Sequence, residues 1–188
     1  MLEVYGKEAD EMQYYLFHIF MDCREILNCI IQYRFLISEE NWNKVDKIYD
    51  GFDNLLVATL SSMHYEIVVG TIKLVDTHRN SISINKLFEY CWKLGNEDLK
   101  QIIKKYRKLL KPYNKLLDNL QEIRNKIYAH SDFSFNTTKV DKFGDSLLKF
   151  KDLEDLEMYL KIIIDACLEI NSEHKGGELV INHIPLYK

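Results

Sequence analysis

The residues of this sequence best suited to chemistry lie in one short segment, Arg-Asn-Lys-Ile-Tyr-Ala-His at positions 124–130. A histidine titrates near neutral pH and can therefore act as a general acid or a general base. On a continuous helix, Arg124 and His130 are about 9 Å apart along the axis and about 120° apart around it, which a long guanidinium can span. The planar guanidinium suits a phosphate group, and Asn125 adds a neutral donor and acceptor. The spacing thus allows Arg124, Asn125 and His130 to converge on one ligand.

A less specific interpretation of the same segment stays open. His130 could cap the last turn of its helix by bonding a backbone carbonyl, and Arg124 could form a surface ion pair. Asp132 could orient the His130 ring through a ring nitrogen, or it could simply end the helix. Spacing alone does not separate these alternatives.

Positive charge is concentrated in the stretch that leads to this segment. Residues 100–126 hold nine basic and two acidic side chains, so the stretch carries +7 while the rest of the chain carries −11. One interpretation is a solvated helix face, and the other is a phosphate-facing stripe on an otherwise acidic protein. The stripe would comprise Lys104, Lys105, Lys108, Lys115 and Lys126.

Other kinds of site have no support in the sequence. Phosphate-binding glycine loops, zinc-protease, hydrolase and calcium-loop motifs are missing, and the six histidines include no pair spaced for a metal on one helix face. Four scattered cysteines form no Cys-x-x-Cys pair, and three of them lie on apolar stripes, which is typical of reduced, buried thiols. We therefore expect no metal and no cofactor, and a metal held by histidines from distant parts of the chain is the alternative.

The composition indicates a helical domain that positions these residues. A chain of 188 residues that is 47% hydrophobic can bury a core, and 7 Gly with 2 Pro are too few for the many turns of a β-sandwich. No run of about 18 consecutive apolar residues is present, and the N-terminus lacks the pattern of a secretory signal. We expect an intracellular, cytoplasmic protein with one domain over residues 1–177, a tail over 178–188 and no membrane span.

Apolar residues recur at alternating spacings of three and four, which predicts amphipathic helices. Asn96 is expected to cap the longest pattern, and Pro112 to kink it or to separate two helices. Asp152 is expected to open the last helix, and Gly70 to lie at a close helix crossing. The three main stripes are Leu16–Phe20–Cys23–Leu27–Ile30, Leu99–Ile102–Tyr106–Leu109–Tyr113–Leu116–Leu120–Ile123–Ile127 and Leu153–Leu156–Leu160–Ile163–Cys167–Ile170.

The Arg124–His130 segment resembles the signature of the HEPN superfamily of helical-bundle ribonucleases. That signature is an Arg, usually followed by a polar residue, and then a His after four to six intervening residues. Here five residues intervene, and Asn125 fills the polar position. The Asn41-Trp42 segment, the helix ending in Lys73-Leu74-Val75-Asp76 and the segment Ser81–Leu87 also resemble the abortive-infection AbiU-type branch. The similarity covers roughly residues 10–170 in order and spacing.

The resemblance implies an all-α, HEPN-like bundle of about five to seven helices and a metal-independent endoribonuclease. It further implies a symmetric homodimer, RNA as substrate and a place in toxin–antitoxin or antiphage systems, with an antitoxin or regulatory partner. Tyr128 is then expected to pack at the dimer seam. A related branch has a modifiable Tyr two residues after the His, but Asp132 occupies that position here. A catalytically silent RNA- or nucleotide-binding module and an interaction scaffold remain the alternatives.

Overall fold

The computed structural model describes residues 11–78, 80–125 and 148–174, and all of its regular structure is helical. This confirms the predicted all-α class. The described elements form six uninterrupted helical stretches, within the expected range of five to seven. Their bounds are α1 Glu11–Ile37; a 3₁₀ turn Glu39–Asn41 leading into α2 Trp42–Tyr49; α3 Asp53–Tyr65, a π-helical segment Glu66–Gly70 and α4 Thr71–Val75 in one rod; α5 Ile84–Lys93; α6 Glu97–Leu110, a 3₁₀ turn Lys111–Tyr113 and α7 Asn114–Ile123 in direct succession; and α8 Phe150–Glu173.

The chain divides into two compact units. Unit 1 contains the residues up to Cys23, Lys73–Pro112 and the residues from Leu160 onward, whereas unit 2 contains Arg24–Ile72 and Tyr113–Tyr159. The long helices α1 and α8 each contribute residues to both units. The predicted single domain over residues 1–177 stays a prediction.

Unit 1 is built around the apolar faces of α5, α6 and the adjoining parts of α1 and α8. Two of its polar contacts join distant parts of the chain: the Gln13 side-chain amide donates to Asn171 at 3.1 Å, and the Tyr106 hydroxyl donates to Glu169 Oε2 at 2.7 Å. Burial and the Glu169 contact both raise the pKa of Tyr106. The fully buried apolar side chains of this unit include Leu16, Ile19, Cys23, Leu74, Leu87, Cys91, Ile103, Leu160, Ile163, Cys167 and Ile170.

The connection between α4 and α5 is fixed by side chains from the segment that resembles the AbiU-type branch. Ser83 Oγ donates to the Asp76 carbonyl at 2.6 Å and accepts from the Lys86 backbone N–H at 3.4 Å, so one hydroxyl caps α5 and holds the end of α4. The Asn85 amide donates to the Val75 carbonyl at 2.7 Å. These bonds satisfy carbonyls that a helix end leaves unpaired. Within the described structure, the residues of this segment therefore have a structural role.

Unit 2 brings α1 close to the π-helical segment at Gly70. A Cβ atom on Gly70 would lie 3.1 Å from the Ile26 side chain, which confirms the predicted close crossing. Farther along α1, Arg34 forms an ion pair of 3.0 Å with Glu157 of α8. The buried His64 ring lies 6.2 Å from that of Tyr33, centroid to centroid.

Replacing Gly70 with Val should lower the free energy of unfolding by about 1–3 kcal/mol, because the added methyl groups must displace the Ile26 side chain. The matched control is Ser62→Val at an exposed position of the same rod, where we expect a change below about 0.5 kcal/mol. Urea unfolding followed by far-UV circular dichroism measures both. Equal stabilities of the two variants would contradict the close crossing.

The longest stripe is interrupted where the sequence places Pro112. As predicted, two helices meet there, joined by the 3₁₀ turn Lys111–Tyr113. The stripe itself does not continue unbroken, because Leu109 is 44% exposed, and Ile103 occupies the buried face instead. The prediction for Leu109 is wrong, since strict alternation of three and four drifts from the 3.6-residue helical turn. The last helix begins at Phe150 rather than Asp152, and Asp152 Oδ2 accepts from the Lys149 backbone N–H at 3.0 Å.

One rod in the described residues, Asp53–Val75, is long and apolar enough to cross a membrane by length and composition. Its best 18-residue window has a mean hydropathy of 1.4, with 28% of the window buried. Polar residues such as Ser61, Ser62 and Glu66 interrupt the apolar run. A single helix of this kind is weak evidence for a span, because core helices of soluble proteins meet the same criteria. The absence of a membrane span stays a prediction.

The four cysteines are all reduced, and Cys23, Cys91 and Cys167 are buried, as predicted. Burial raises the pKa of the Cys23 and Cys167 thiols, so both stay protonated at neutral pH. A protonated, buried thiol is a poor nucleophile and a poor metal ligand. These residues therefore contribute to packing.

Candidate RNA-binding and catalytic residues

Arg124 lies where α7 passes into a wider turn. α7 ends at Ile123, and the Arg124 backbone keeps helical dihedral angles, with φ −53° and ψ −49°. At Arg124 and Asn125 the hydrogen bonding becomes π-helical. Such π turns within helices occur frequently at functional sites. In unit 2, α7 packs against a second π-helical segment, Glu66–Gly70.

The Arg124 side chain is half-buried and makes no ion pair with any other described residue. The alternative of a surface ion pair therefore has no support within the described part of the chain. Leu120, one turn earlier, is fully buried, so Arg124 stands beside the packed side of α7. A partly desolvated guanidinium that no described carboxylate neutralises is suited to binding an anion.

Asn125 is exposed, and its position is set by the preceding turn of α7. The Gln121 side-chain amide donates to Asn125 Oδ1 at 3.0 Å. This bond uses one of the two lone pairs of Asn125 Oδ1, and the Asn125 amide N–H groups make no hydrogen bond to another described residue. Asn125 can thus donate to a phosphate oxygen next to Arg124.

Four further residues that the sequence predicts for this site lie outside the described residues. They are Lys126, Tyr128, His130 and Asp132. The structure therefore places Arg124 and Asn125 together, and the convergence of His130 with them stays a prediction. Lys115, in the first turn of α7, is exposed. It lies about 180° around the helix axis from Arg124, so the two cannot contact the same phosphate.

The three predicted lysines of α6, in unit 1, differ in their surroundings. Lys104 and Lys108 are exposed and have no ion-pair partner among the described residues. Lys105 instead donates to Glu169 Oε2 at 2.5 Å, and this contact together with the Tyr106 hydroxyl lowers the pKa of Glu169. The positive charge of Lys105 is therefore largely compensated within unit 1.

Sequence reasoning missed one residue beside these lysines, Trp92 in the last turn of α5. Its side chain is 40% exposed, and the ammonium groups of Lys100 and Lys104 lie 5.9 and 5.8 Å from the ring centroid. A tryptophan at the end of an apolar helix is normally interpreted as core. Only the packing of α5 against α6 shows that it stands next to the basic face.

No group of three or more metal-binding side chains comes together within residues 11–78, 80–125 and 148–174. The chemistry available from the described side chains is therefore anion binding by Arg124, Asn125 and the α6 lysines. Acid–base chemistry depends on His130.

Comparison with known families gives one match. A family model described as AbiU2, in the HEPN group, matches residues 51–185. The matched range extends from before α3 to beyond α8 and includes the Arg124–His130 segment. No curated protein and no solved structure matches the chain.

Proposed function

We infer that this chain, which belongs to the AbiU2 family of HEPN domains, is an endoribonuclease of an abortive-infection system. Membership relates the chain to abortive infection, and its helices form the expected HEPN-like bundle. The observation that carries the nuclease proposal is the family match across the Arg124–His130 segment. The half-buried Arg124, with no ion-pair partner among the described residues, agrees with it.

The proposed reaction uses the nucleophile that RNA itself supplies. The 2′-hydroxyl loses a proton to a base and attacks the adjacent phosphorus, and the bond to the 5′-oxygen breaks as an acid protonates the leaving oxygen. His130 serves as acid or base, because imidazole titrates near neutral pH. Arg124 stabilises the negative charge that develops on the phosphate oxygens, and Asn125 donates a further hydrogen bond.

One chain offers one such histidine, whereas the reaction needs both an acid and a base. A two-fold homodimer would bring His130 and its symmetry mate to one phosphate, so that a single sequence position supplies both groups. We therefore place the proposed active site across a homodimer, with Tyr128 packing at the seam. An antitoxin or regulatory partner would act by blocking this site.

The exposed lysines of α6 are proposed to contact the RNA backbone, so RNA affinity should fall steeply with salt as counterions are released. Lys104→Gln and Lys108→Gln should each reduce the slope of log K against log [salt] by about 0.7, the value per phosphate contact for a single strand. Lys105→Gln is the matched control. Because Lys105 is already paired with Glu169, its replacement should change the slope less. Fluorescence anisotropy of a labelled oligoribonucleotide at several salt concentrations measures the slopes. Equal slopes for all three variants would indicate that these lysines belong to a solvated helix face and do not contact the RNA.

The biological proposal predicts that induced expression of the chain arrests bacterial growth, because unregulated RNA cleavage stops protein synthesis. His130→Ala should restore growth at equal protein levels. The control is Lys115→Gln, on the opposite side of α7 from Arg124, which should remain toxic. Toxicity that persists in a folded His130→Ala variant would instead favour the interaction scaffold.

A further inference from the structure

The side chain of Trp92 is exposed and lies next to two lysines of the neighbouring helix. α5 packs against α6, and Lys100 and Lys104 are one turn apart on α6, so both reach the indole ring. Their ammonium groups lie near the outer limit of about 6 Å for cation–π contacts. Both ammonium groups lie over the ring, and Trp92 still keeps 40% of its surface exposed.

We propose that Trp92 is a stacking platform for a base of single-stranded RNA, with Lys104 and Lys100 contacting the phosphates on either side of that base. This inference rests on the proposed RNA-directed function and adds a binding residue outside the Arg124–His130 segment. Proteins that hold single strands combine a basic surface with aromatic side chains on which bases stack. Trp92 and α6 supply both elements within unit 1.

The charges around the ring favour an anionic ligand. The segment from Ile84 to Leu110 holds seven basic and three acidic residues. Glu97 is paired with Lys100 at 2.6 Å, which lowers the pKa of Glu97 and compensates part of the Lys100 charge. Lys104 has no ion pair among the described residues, so it is the main phosphate contact in this proposal. Lys108 follows one turn later, about 6 Å farther along the helix, and can contact the next phosphate.

Two other described aromatic side chains next to cations in unit 1 are unsuited to stacking. Arg107 lies 5.9 Å from the Phe88 ring and Lys105 lies 4.8 Å from the Tyr106 ring, but both rings are buried. Exposure alone does not make a platform either. Phe17 is 39% exposed, almost as much as Trp92, yet no lysine or arginine lies over its ring among the described residues.

The first test uses the fluorescence of Trp92 itself. The chain has two tryptophans, so a Trp42→Phe variant leaves Trp92 as the sole indole reporter. The His130→Ala change is added so that the RNA is not cleaved during titration. Stacking of a base should quench and saturate the Trp92 emission as a short oligouridylate is added. Emission that stays constant while anisotropy reports binding of the same labelled RNA would overturn the proposal.

The second test compares affinities for the same oligouridylate in the His130→Ala background. Trp92→Leu keeps an apolar side chain but removes the indole, and it should weaken binding by about fivefold to a hundredfold. Trp92→Phe should retain most of the affinity, because a benzene ring still stacks. Phe17→Leu, the control matched in exposure, should bind as the parent does. Far-UV circular dichroism and light scattering check that each variant keeps its fold and its oligomeric state.

The outcomes separate this inference from the nuclease proposal. RNA cleavage by the parent, together with equal binding by Trp92→Leu and the parent, would overturn the platform and leave the nuclease intact. Absence of cleavage, together with loss of binding in Trp92→Leu but not in Phe17→Leu, would support the platform on a silent RNA-binding module. A change in oligomeric state in Trp92→Leu, with RNA affinity unchanged, would assign this surface to a protein contact and overturn the proposal.

Discussion

Replacing either His130 or Arg124 with Ala should slow RNA cleavage by about a hundredfold or more, since a general acid–base group and a phosphate-stabilising donor each contribute at that level. His130→Ala removes the group that transfers the proton. Arg124→Ala removes the guanidinium that stands at the end of α7 without an ion-pair partner among the described residues. Single-turnover cleavage of a labelled RNA, at protein concentrations above the Kd, measures the chemical step separately from binding.

Two further variants separate catalysis from charge and from folding. Arg124→Lys keeps the charge but loses the planar fork, so it should recover only a small part of the rate. Lys115→Gln removes a charge from the opposite side of α7 and should cleave within a few-fold of the parent. Far-UV circular dichroism confirms that each protein is helical. A folded His130→Ala variant that cleaves as fast as the parent would contradict the assignment of His130.

A mixed dimer tests whether the site is shared between subunits. A dimer of one parent chain and one His130→Ala chain, purified through two different affinity tags, keeps one intact Arg124–His130 segment. Two independent sites predict half of the parent rate per dimer. A shared site, which needs an acid from one chain and a base from the other, predicts a rate close to that of the His130→Ala homodimer.

The helical class and several local features of the fold were predictable, because they depend on neighbours in the sequence. Asn96 accepts hydrogen bonds from the backbone N–H groups of Asp98 and Leu99, as expected of a cap. Every residue of the stripe predicted for α8 is buried, because that helix runs without interruption and its spacing alone fixes the inner face. Pro112 separates α6 from α7 for the local reason that proline cannot continue the hydrogen-bonded ladder.

Features that depend on distant residues were not predictable. The positive charge of Lys105 is compensated by Glu169, 64 positions away, and no sequence pattern near Lys105 predicts this ion pair. The exposure of Trp92 depends on how α5 packs against α6. The Ser83 hydroxyl bonds a carbonyl seven residues earlier, which requires the geometry of the whole connection. In the candidate site, the sequence predicts which residues react, whereas the structure shows which charges are already paired.

The second large expected effect is the loss of cleavage when the RNA substrate is modified at the 2′ position. A single 2′-deoxy or 2′-O-methyl nucleotide at the cut position should abolish cleavage there, because the proposed nucleophile is then missing or blocked. Binding of the modified RNA should change little, since the α6 lysines and Trp92 are expected to contact phosphates and bases rather than that hydroxyl. Cleavage and anisotropy measured on the same pair of oligonucleotides separate the two steps.

The proposed mechanism also predicts the chemical ends of the RNA fragments and the cleavage rate when metal ions are chelated. Attack by the 2′-hydroxyl leaves a 2′,3′-cyclic phosphate on one fragment and a 5′-hydroxyl on the other, because the phosphorus stays with the attacking nucleotide. The charge on the phosphate is stabilised by Arg124 in this scheme, so the rate in EDTA should equal the rate without it. Mass spectrometry of the fragments and treatment of the 5′ ends with polynucleotide kinase identify the termini. Fragments that carry 3′-hydroxyl and 5′-phosphate ends, or a reaction that stops in EDTA, would require a different nucleophile and would remove His130 and Arg124 from the roles proposed for them.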